Sequence, residues 1–305
     1  MQFGLLSYRT DNLGDDMQSI AARRFLPRVD RHLDREALDE ISSADGDPVA
    51  LVMNGWFCHR PDKWPPAPPI DPLLISFHVT NNPEPGTGAR AREAFARSPR
   101  ALDWLRRHGP VGARDHSTLD WLRSHGIEAW FSGCLTLTLD APPDRPRDDF
   151  IVLNDLPDAV ATRIAGATRR PLRRTTHTEA GAPDVPQRFA RAEALLDLYA
   201  RAACVVTTRL HGAMPCLAFG TPVLLIDAHW DQSRFTGLAE LVRHGTAGEF
   251  LAGELRYDVD DPPANPGRHI ALRAELTRQV SAFVASRAVA PPLLTRLRAR
   301  IASWI

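Results

Sequence analysis

Lysine is almost missing from this chain: of its 37 basic residues only Lys63 is a lysine and the rest are arginine. A bias of genome composition explains that, and no function is read from it. Cysteine is also scarce. Cys58, Cys134, Cys204 and Cys216 form no close pair, which excludes a structural zinc site and a disulfide scaffold. Neither sign of charge is in excess, because 37 basic residues balance 37 acidic ones. A general nucleic-acid binder would carry a basic surplus to neutralise phosphates. The half after residue 150 is slightly basic, a weak pointer to an anion there. Long apolar runs are absent too. The best, Cys216 to Asp227, is broken by Gly220 and Pro222, well short of the roughly 18 residues that span a bilayer. Met1 to Ser7 has no basic stretch leading into an apolar one, so no signal peptide is expected and the reading is a soluble, cytoplasmic protein. No His, Asp, Glu or Cys cluster has metal spacing, and there is no Gly-Lys-Ser/Thr phosphate loop, dinucleotide glycine signature or Gly-x-Ser-x-Gly nucleophile turn.

What is present is an alternation. The 305 residues, 44% of them hydrophobic, suffice for two domains of about 150 residues each. Strands are expected at Phe3 to Ser7, Val49 to Met53, Leu73 to Phe77, Val111 to Ala113, Phe150 to Leu153, Cys204 to Thr207 and Pro222 to Ile226. Helices are expected at Met17 to Phe25, Ala89 to Arg107 with a break at Ser98-Pro99, Ser117 to Ser124, Ala192 to Ala202 and Ala213 to Phe219. Strands alternating with helices of this size imply parallel sheets with right-handed crossovers. Pro65 to Pro72 and Asp261 to Gly267 are loops, and the polar, proline-bearing stretch 141–149 reads as a linker. The expected architecture is α/β: two Rossmann-like domains facing a cleft, residues 1–140 and 150–305. The last helix is expected to pack back on the first domain.

Ligands of open parallel sheets sit beyond the carboxyl ends of strands, where helices begin and free amides favour anions. Thr207 to Ala213 is the strongest such place, because it puts Arg209 and His211 at a helix start and lets the backbone approach closely at Gly212. A cation there opposes the helix dipole unless an anion joins it, so Arg209 either binds a ligand or pairs with a neighbouring carboxylate. Gly112 to Ser117 repeats the argument with Arg114, while Asp115 or Ser117 caps the next helix. Asn12, Gly14, Asp15 and Asp16 follow the first strand, and their acids either cap a helix or bind sugar hydroxyls. Gly55, Trp56 and His78 end strands and suit a carbohydrate; a buried tryptophan and a hydrogen-bonded histidine are the plainer alternative. His229, Trp230, Asp231 and Arg234 follow the strand ending at Ile226 and are placed at the same pocket. His108 and His125 sit at helix ends, where they complement the dipole.

Three segments together resemble the polysaccharide pyruvyl transferase family. They are Asn12-Leu13-Gly14-Asp15; Arg114-Asp115-His116-Ser117-Thr118-Leu119 with Gly126-Ile127 and the next strand; and Thr208-Arg209-Leu210-His211-Gly212 with Leu217 to Val223. Their order and spacing fit from about Gly4 to Leu241. The resemblance implies a glycosyltransferase B-like pair of domains, the first on the acceptor side and the second on the donor side. It implies phosphoenolpyruvate as donor, with no cofactor and no metal. Carried over, Arg209, His211 and the Leu210 backbone with Gly212 would hold the donor, and Arg114 would reach it from the other domain. Gln232-Ser233-Arg234 and Ser132-Gly133-Cys134-Leu135-Thr136 depart from the family's usual residues.

The implied reaction moves pyruvate onto two hydroxyls of a sugar, in a polysaccharide or a lipid-linked precursor, as a cyclic ketal. His211 is the candidate acid for the methylene carbon, with donor phosphate binding as its other role. Two alternatives stay open: a sugar-nucleotide glycosyltransferase of the same architecture, and a non-catalytic carbohydrate-binding protein. A lipid-linked acceptor would bring the chain to the inner face of the membrane. The stripe Leu294, Leu297, Ile301 and Trp304 either lies there or, as such stripes mostly do, packs on the protein.

Overall fold

The computed structural model describes residues 1–42, 47–57, 60–79, 81, 91–141, 147–179, 181, 184–227 and 232–288. Two all-parallel sheets organise them. The first contains β1 (Gln2–Ser7), β2 (Arg31–Asp34), β3 (Val49–Phe57), β4 (Ile70–Val79), β5 (Val111–Ala113) and β6 (Ala129–Phe131), in the order β2-β1-β3-β4-β5-β6. The second contains β7 (Ile151–Asn154), β8 (Leu172–Thr175), β9 (Cys204–Thr207), β10 (Val223–Asp227) and β11 (Arg243–Thr246), in the order β11-β10-β9-β7-β8. Counted within its own sheet, each begins second strand, first, third, fourth, fifth. The chain therefore reverses direction of growth beside β1 in one sheet and beside β7 in the other, which is where such sheets open a crevice for ligands.

The crossovers are α1 (Leu13–Arg23), α2 (Ala91–Ala96), α3 (Pro99–His108) and α4 (His116–Ser124) in the first half. In the second half they are α5 (Asp158–Ala165), α6 (Val185–Arg201), α7 (Leu210–Phe219), α8 (Ala247–Ala252) and α9 (Ile270–Ala288). Several helices start earlier than hydrophobic periodicity predicts, for local reasons. Asn12 caps α1 by accepting from the Gly14 amide at 3.1 Å, and Asp15 and Asp16 in its first turn favour the dipole. Asp184 caps α6 onto the Gln187 amide, and Pro186 fits the first turn because no amide is needed there. α7 begins at Leu210, three residues before the predicted Ala213, so Arg209 is its N-cap residue and His211 lies inside it.

The predicted break at Ser98-Pro99 separates α2 from α3, with Ser98 as cap. β2, β8 and β11 were not predicted, and all three are sheet edges with few buried side chains. α5, α8 and α9 were also not predicted.

The halves are not separated by solvent. A single apolar cluster runs from Phe3, Leu5, Met17 and Ile20 through Cys134, Leu135 and Leu137 to Val152, Tyr199, Leu217 and Leu276. α1 is buried on all sides between the sheets from Leu13 to Ala22. Polar contacts cross the same boundary. Asp16 and Arg188 form a fully buried ion pair at 2.6 Å, and Arg188 also donates to the Thr10 carbonyl at 2.5 Å. The Leu13 amide donates to the His177 carbonyl, and the amides of His116 and Ser117 are taken by Thr236. Arg287 near the end of α9 grips Asp71 of β4 with two bonds of 2.6 and 2.9 Å. The stripe from Leu294 to Trp304, and residues 142–146 of the expected linker, lie outside the described residues.

No helix among the described residues is long and apolar enough to cross a membrane.

Candidate functional site

At the end of β9, Thr207 donates to Asn154 at 2.8 Å and accepts the Arg209 amide at 2.9 Å. α7 lies directly on this pair. A Cβ on Gly212 would come within 2.5 Å of the Thr207 hydroxyl and 3.0 Å of Asn154, which is why glycine stands there. The end of β7 supplies Asp155, held at φ 52° in the left-handed region that an aspartate enters at some cost. Its carboxylate accepts from the His177 amide at 2.9 Å and from Arg209 Nε at 2.8 Å. Arg209 thus does pair with a carboxylate, the plainer of the two readings. The pairing uses its Nε, and the side chain is 29% exposed.

His211 follows in the first turn of α7 and is buried, with no hydrogen-bond partner for Nε2 among the described residues. Burial first, then the positive charges of Arg114, His177, Arg234 and Arg209, push its pKa well below the usual imidazole range. His177 is buried beside it, with Nε2 bonded to the Tyr199 hydroxyl at 2.8 Å, and burial pushes its pKa down to about 4.

The first half contributes the facing wall. β3 and β4 lose register between Met53 and Gly55, so that Gly55 pairs with Phe77 after Met53 has paired with Leu74. The bulge places Ser76 at φ 49° and Gly55 at φ 156°. The hydroxyl of Ser132 accepts the Ser76 amide at 3.1 Å. Beyond the bulge Trp56 and His78 are direct neighbours across the strands, their rings edge-on at 5.6 Å.

His78 Nδ1 bonds Asp115 at 2.5 Å. Asp115 is the cap of α4, accepting from the Thr118 amide at 2.8 Å. Ser117 does not cap; its hydroxyl accepts from Arg92 at 2.8 Å. Arg114, 1% exposed, hangs from the end of β5 with Nε 3.6 Å from the same Asp115 oxygen, too long for a hydrogen bond. Neither Nε nor Nη2 of Arg114 has a hydrogen-bond partner among the described residues.

The loop after β1 closes the arrangement. Asn12 pairs with Thr178 of the second half, and Gly14 lies against His211: a Cβ there would stand 2.6 Å from Nδ1. Asp15 is engaged elsewhere, by Thr10 at 2.9 Å, Gln18 at 3.3 Å and Arg35 at 3.5 Å, a structural role within the first half. Arg234, in the turn Gln232–Phe235, stacks its guanidinium 4.6 Å above the Trp56 ring. Arg114, Arg209, Arg234, His211, Gly14, Trp56 and His78 are therefore brought together, and Leu210 is buried at the helix start. His229, Trp230 and Asp231 lie outside the described residues. His108 and His125 each bond a carbonyl four residues back, at 2.8 and 2.7 Å, and stand at helix ends as expected.

Motif reading missed Asp155, His177 and Arg92. Asp155 was findable, since it lies two residues past a predicted strand and obeys the rule that selected Arg209. His177 and Arg92 carry no local signal. Chemically the cluster offers three guanidinium groups and a neutral imidazole, with Arg114 Nε and Nη2 and His211 Nε2 buried and without a hydrogen-bond partner among the described residues, a setting for a compact, multiply charged anion. Among the described residues no three His, Cys, Asp or Glu side chains converge as a metal site.

The sequence model of the polysaccharide pyruvyl transferase family matches residues 95–229, which contain Arg114, Asp115, Asp155, Arg209 and His211. The match is narrower than the Gly4 to Leu241 span read from the motifs, and leaves Asn12, Gly14, Trp56, His78 and Arg234 outside it. No curated protein matches the chain. Among solved structures, UDP-GlcNAc 2-epimerase from Methanocaldococcus jannaschii aligns over 91% of this chain and 99% of its own, at 9% identity and a TM-score of 0.40.

Proposed function

We propose that the protein transfers the pyruvyl group of phosphoenolpyruvate onto two hydroxyls of a sugar, in a polysaccharide or its precursor, forming a cyclic ketal and releasing phosphate. The family match supports a polysaccharide pyruvyl transferase; the donor and the ketal are our extension of it. The observation that carries the extension is the convergence of Arg114 from one half and Arg209 from the other on His211. Phosphoenolpyruvate bears a phosphate and a carboxylate on adjacent atoms, and two guanidinium groups on opposite walls suit that pair of anions. The Leu210 amide at the start of α7 adds a donor, while Gly212 serves the packing of that helix on Thr207 and Asn154. In this reading residues 1–140 are the acceptor side and 150–305 the donor side of a glycosyltransferase B-like pair.

Ketal formation requires a proton on the methylene carbon, and we assign it to His211. In the free protein this imidazole is held neutral by burial and by the arginines. The charge of bound phosphoenolpyruvate offsets those arginines, so the donor itself prepares the acid. Binding near pH 7.5 should therefore take up close to one proton. Titration calorimetry in buffers of different ionisation enthalpy reads this directly, and uptake should vanish in His211→Asn. Binding without uptake would leave His211 a phosphate ligand only.

The donor assignment is tested by thermal stabilisation with phosphoenolpyruvate against UDP-, GDP- and CMP-sugars. A native-state ligand at one hundred times its Kd stabilises by about 2.7 kcal/mol. We expect a shift with phosphoenolpyruvate that is lost in Arg209→Ala. A shift only with a nucleotide sugar would replace this reading by the glycosyltransferase one.

A further inference from the structure

We propose that His78, held through Nδ1 by Asp115, is the base that takes the proton of the attacking sugar hydroxyl. The proposal rests on the pyruvyl-transfer reading and adds a residue outside the family match.

The geometry begins with one oxygen. Asp115 Oδ2 accepts the His78 bond and is also the atom nearest Arg114 Nε, so the imidazole and the donor-site arginine share a carboxylate. A carboxylate can only accept, which puts a proton on Nδ1 and leaves the lone pair on Nε2. Thr118 Oγ1, 3.1 Å from Nδ1, accepts from the Val79 amide and from Arg92 Nη2, which uses both its lone pairs and leaves Asp115 as the acceptor for the Nδ1 proton. Nε2 is buried and has no hydrogen-bond partner among the described residues. A merely structural buried histidine ordinarily satisfies both nitrogens. Here Nε2 resembles the unsatisfied nitrogens of Arg114 and His211, its neighbours in the cluster. Trp56, directly across the strand, offers an apolar ring of the kind against which a sugar face packs.

The protonation states agree. Burial, with Arg114 and Arg92 on the same side and Asp115 opposing, pushes His78 down to about 4, so it is neutral at physiological pH. Burial disfavours the charge of Asp115, yet His78, Arg114 and the Thr118 amide outweigh it and hold the carboxyl below its ordinary range.

The steps balance. As His211 protonates C3 of the donor, the first hydroxyl oxygen bonds to C2 and its proton passes to His78 Nε2. Cleavage of the bond from C2 to the phosphate oxygen then releases phosphate, which takes that proton from His78. The second hydroxyl adds to C2, and its proton restores His211. One hydroxyl proton ends on phosphate and the other replaces the one given to the methyl carbon, so no oxidant or reductant enters. Asp115 is a positioning residue in this scheme; it fixes the tautomer.

The test has two arms on the full chain. Nitrogen-15 shifts of the His78 ring at pH 7 should show a proton on Nδ1 and a free lone pair on Nε2, and Asp115→Asn should reverse the tautomer. A ring protonated on Nε2, or on both nitrogens, overturns the proposal. In the second arm, phosphate release from phosphoenolpyruvate is followed with p-nitrophenyl glycosides of common hexoses and N-acetylhexosamines. His78→Gln and Asp115→Asn should lower turnover by about 10²–10⁴-fold, and in His78→Gln the phosphoenolpyruvate Kd should stay within about twofold. A folded His78→Gln protein with unchanged turnover overturns it. If no glycoside is turned over by the wild-type protein, the nitrogen shifts decide alone. Failure of the pyruvyl-transfer reading would look different, because the wild-type protein would then not bind phosphoenolpyruvate.

Discussion

Stability should fall steeply as pH drops from 6.5 towards 4. His78 and His177 are held neutral with pKa values of about 4, and His211 is pushed down as well, in each case chiefly by burial. In the unfolded chain all three titrate near 6.5. Below that value the unfolded state binds protons that the folded state refuses, so the stability these groups confer is complete above pH 6.5 and lost on acidification. Asp16 acts in the opposite sense. Desolvation raises its pKa to about 6 against the pull of Arg188, so between pH 6 and 4 the folded state holds a proton that the unfolded one does not. Three protons against one leaves a net difference of about two, or about 3 kcal/mol per pH unit. Urea denaturation at pH 7.5, 6.5, 5.5 and 4.5 measures the slope, and His177→Gln should reduce it. A midpoint that stayed constant from pH 7.5 to 4.5 would show that these imidazoles are protonated in the folded protein.

Removing the cation of the buried ion pair should have an effect of similar size. Arg188→Met leaves the Asp16 carboxylate with no partner at a site where both side chains are almost wholly inaccessible. Breaking such a pair on one side typically costs about 3–5 kcal/mol, because an uncompensated charge remains. The orphaned carboxyl can escape by taking a proton, so the loss should be greatest above pH 7 and shrink on acidification. Arg188→Met combined with Asp16→Leu should recover most of it, since no charge is then left behind. Arg188 also holds the Thr10 carbonyl, in the loop that carries Asn12 and Gly14 to His211, so on the proposed donor reading the single variant should bind phosphoenolpyruvate more weakly. Equal stability of single and double variants would mean the pair contributes only through packing.

The sequence made the interior of this fold legible and its margins obscure. Val111 to Ala113, Cys204 to Thr207 and Val223 to Ile226 are short apolar runs bounded by turn residues, and each is a strand. β8 and β11, with the sequences LRRT and RHGT, lie at sheet edges where one side needs no apolar cover, so their pattern is that of a loop. Helix starts were read late at α1 and α7 because the residues that begin them, Gly14 and Asp15, or His211 and Gly212, are conformationally permissive or polar.

The site was legible in the same uneven way. Arg209, Arg114 and His211 follow from the rule that ligands gather at strand ends, and the structure brings them together. Asp115 was seen as a cap, which it is, but its other oxygen binds His78, 37 residues earlier in the chain. Partnerships of that length leave no spacing signature. Nor did the motifs indicate that Asp15 would turn inward to Arg35 and that the loop would meet His211 through a glycine instead.

α1 lies inside a core common to both sheets, and this bears on how the chain could be altered by recombination. A module with its own sealed interior can be cut at its linker and joined to a new neighbour. Here Met17, Ile20, Leu135 and Leu137 complete their packing on Tyr199, Met214 and Leu217, so neither portion brings a finished interior to an exchange. A chimera would have to match a partner's apolar surface along α1 as well as its buried charge at Asp16. New specificities in such a scaffold should therefore arise by substitution in loops, and not by swapping whole halves.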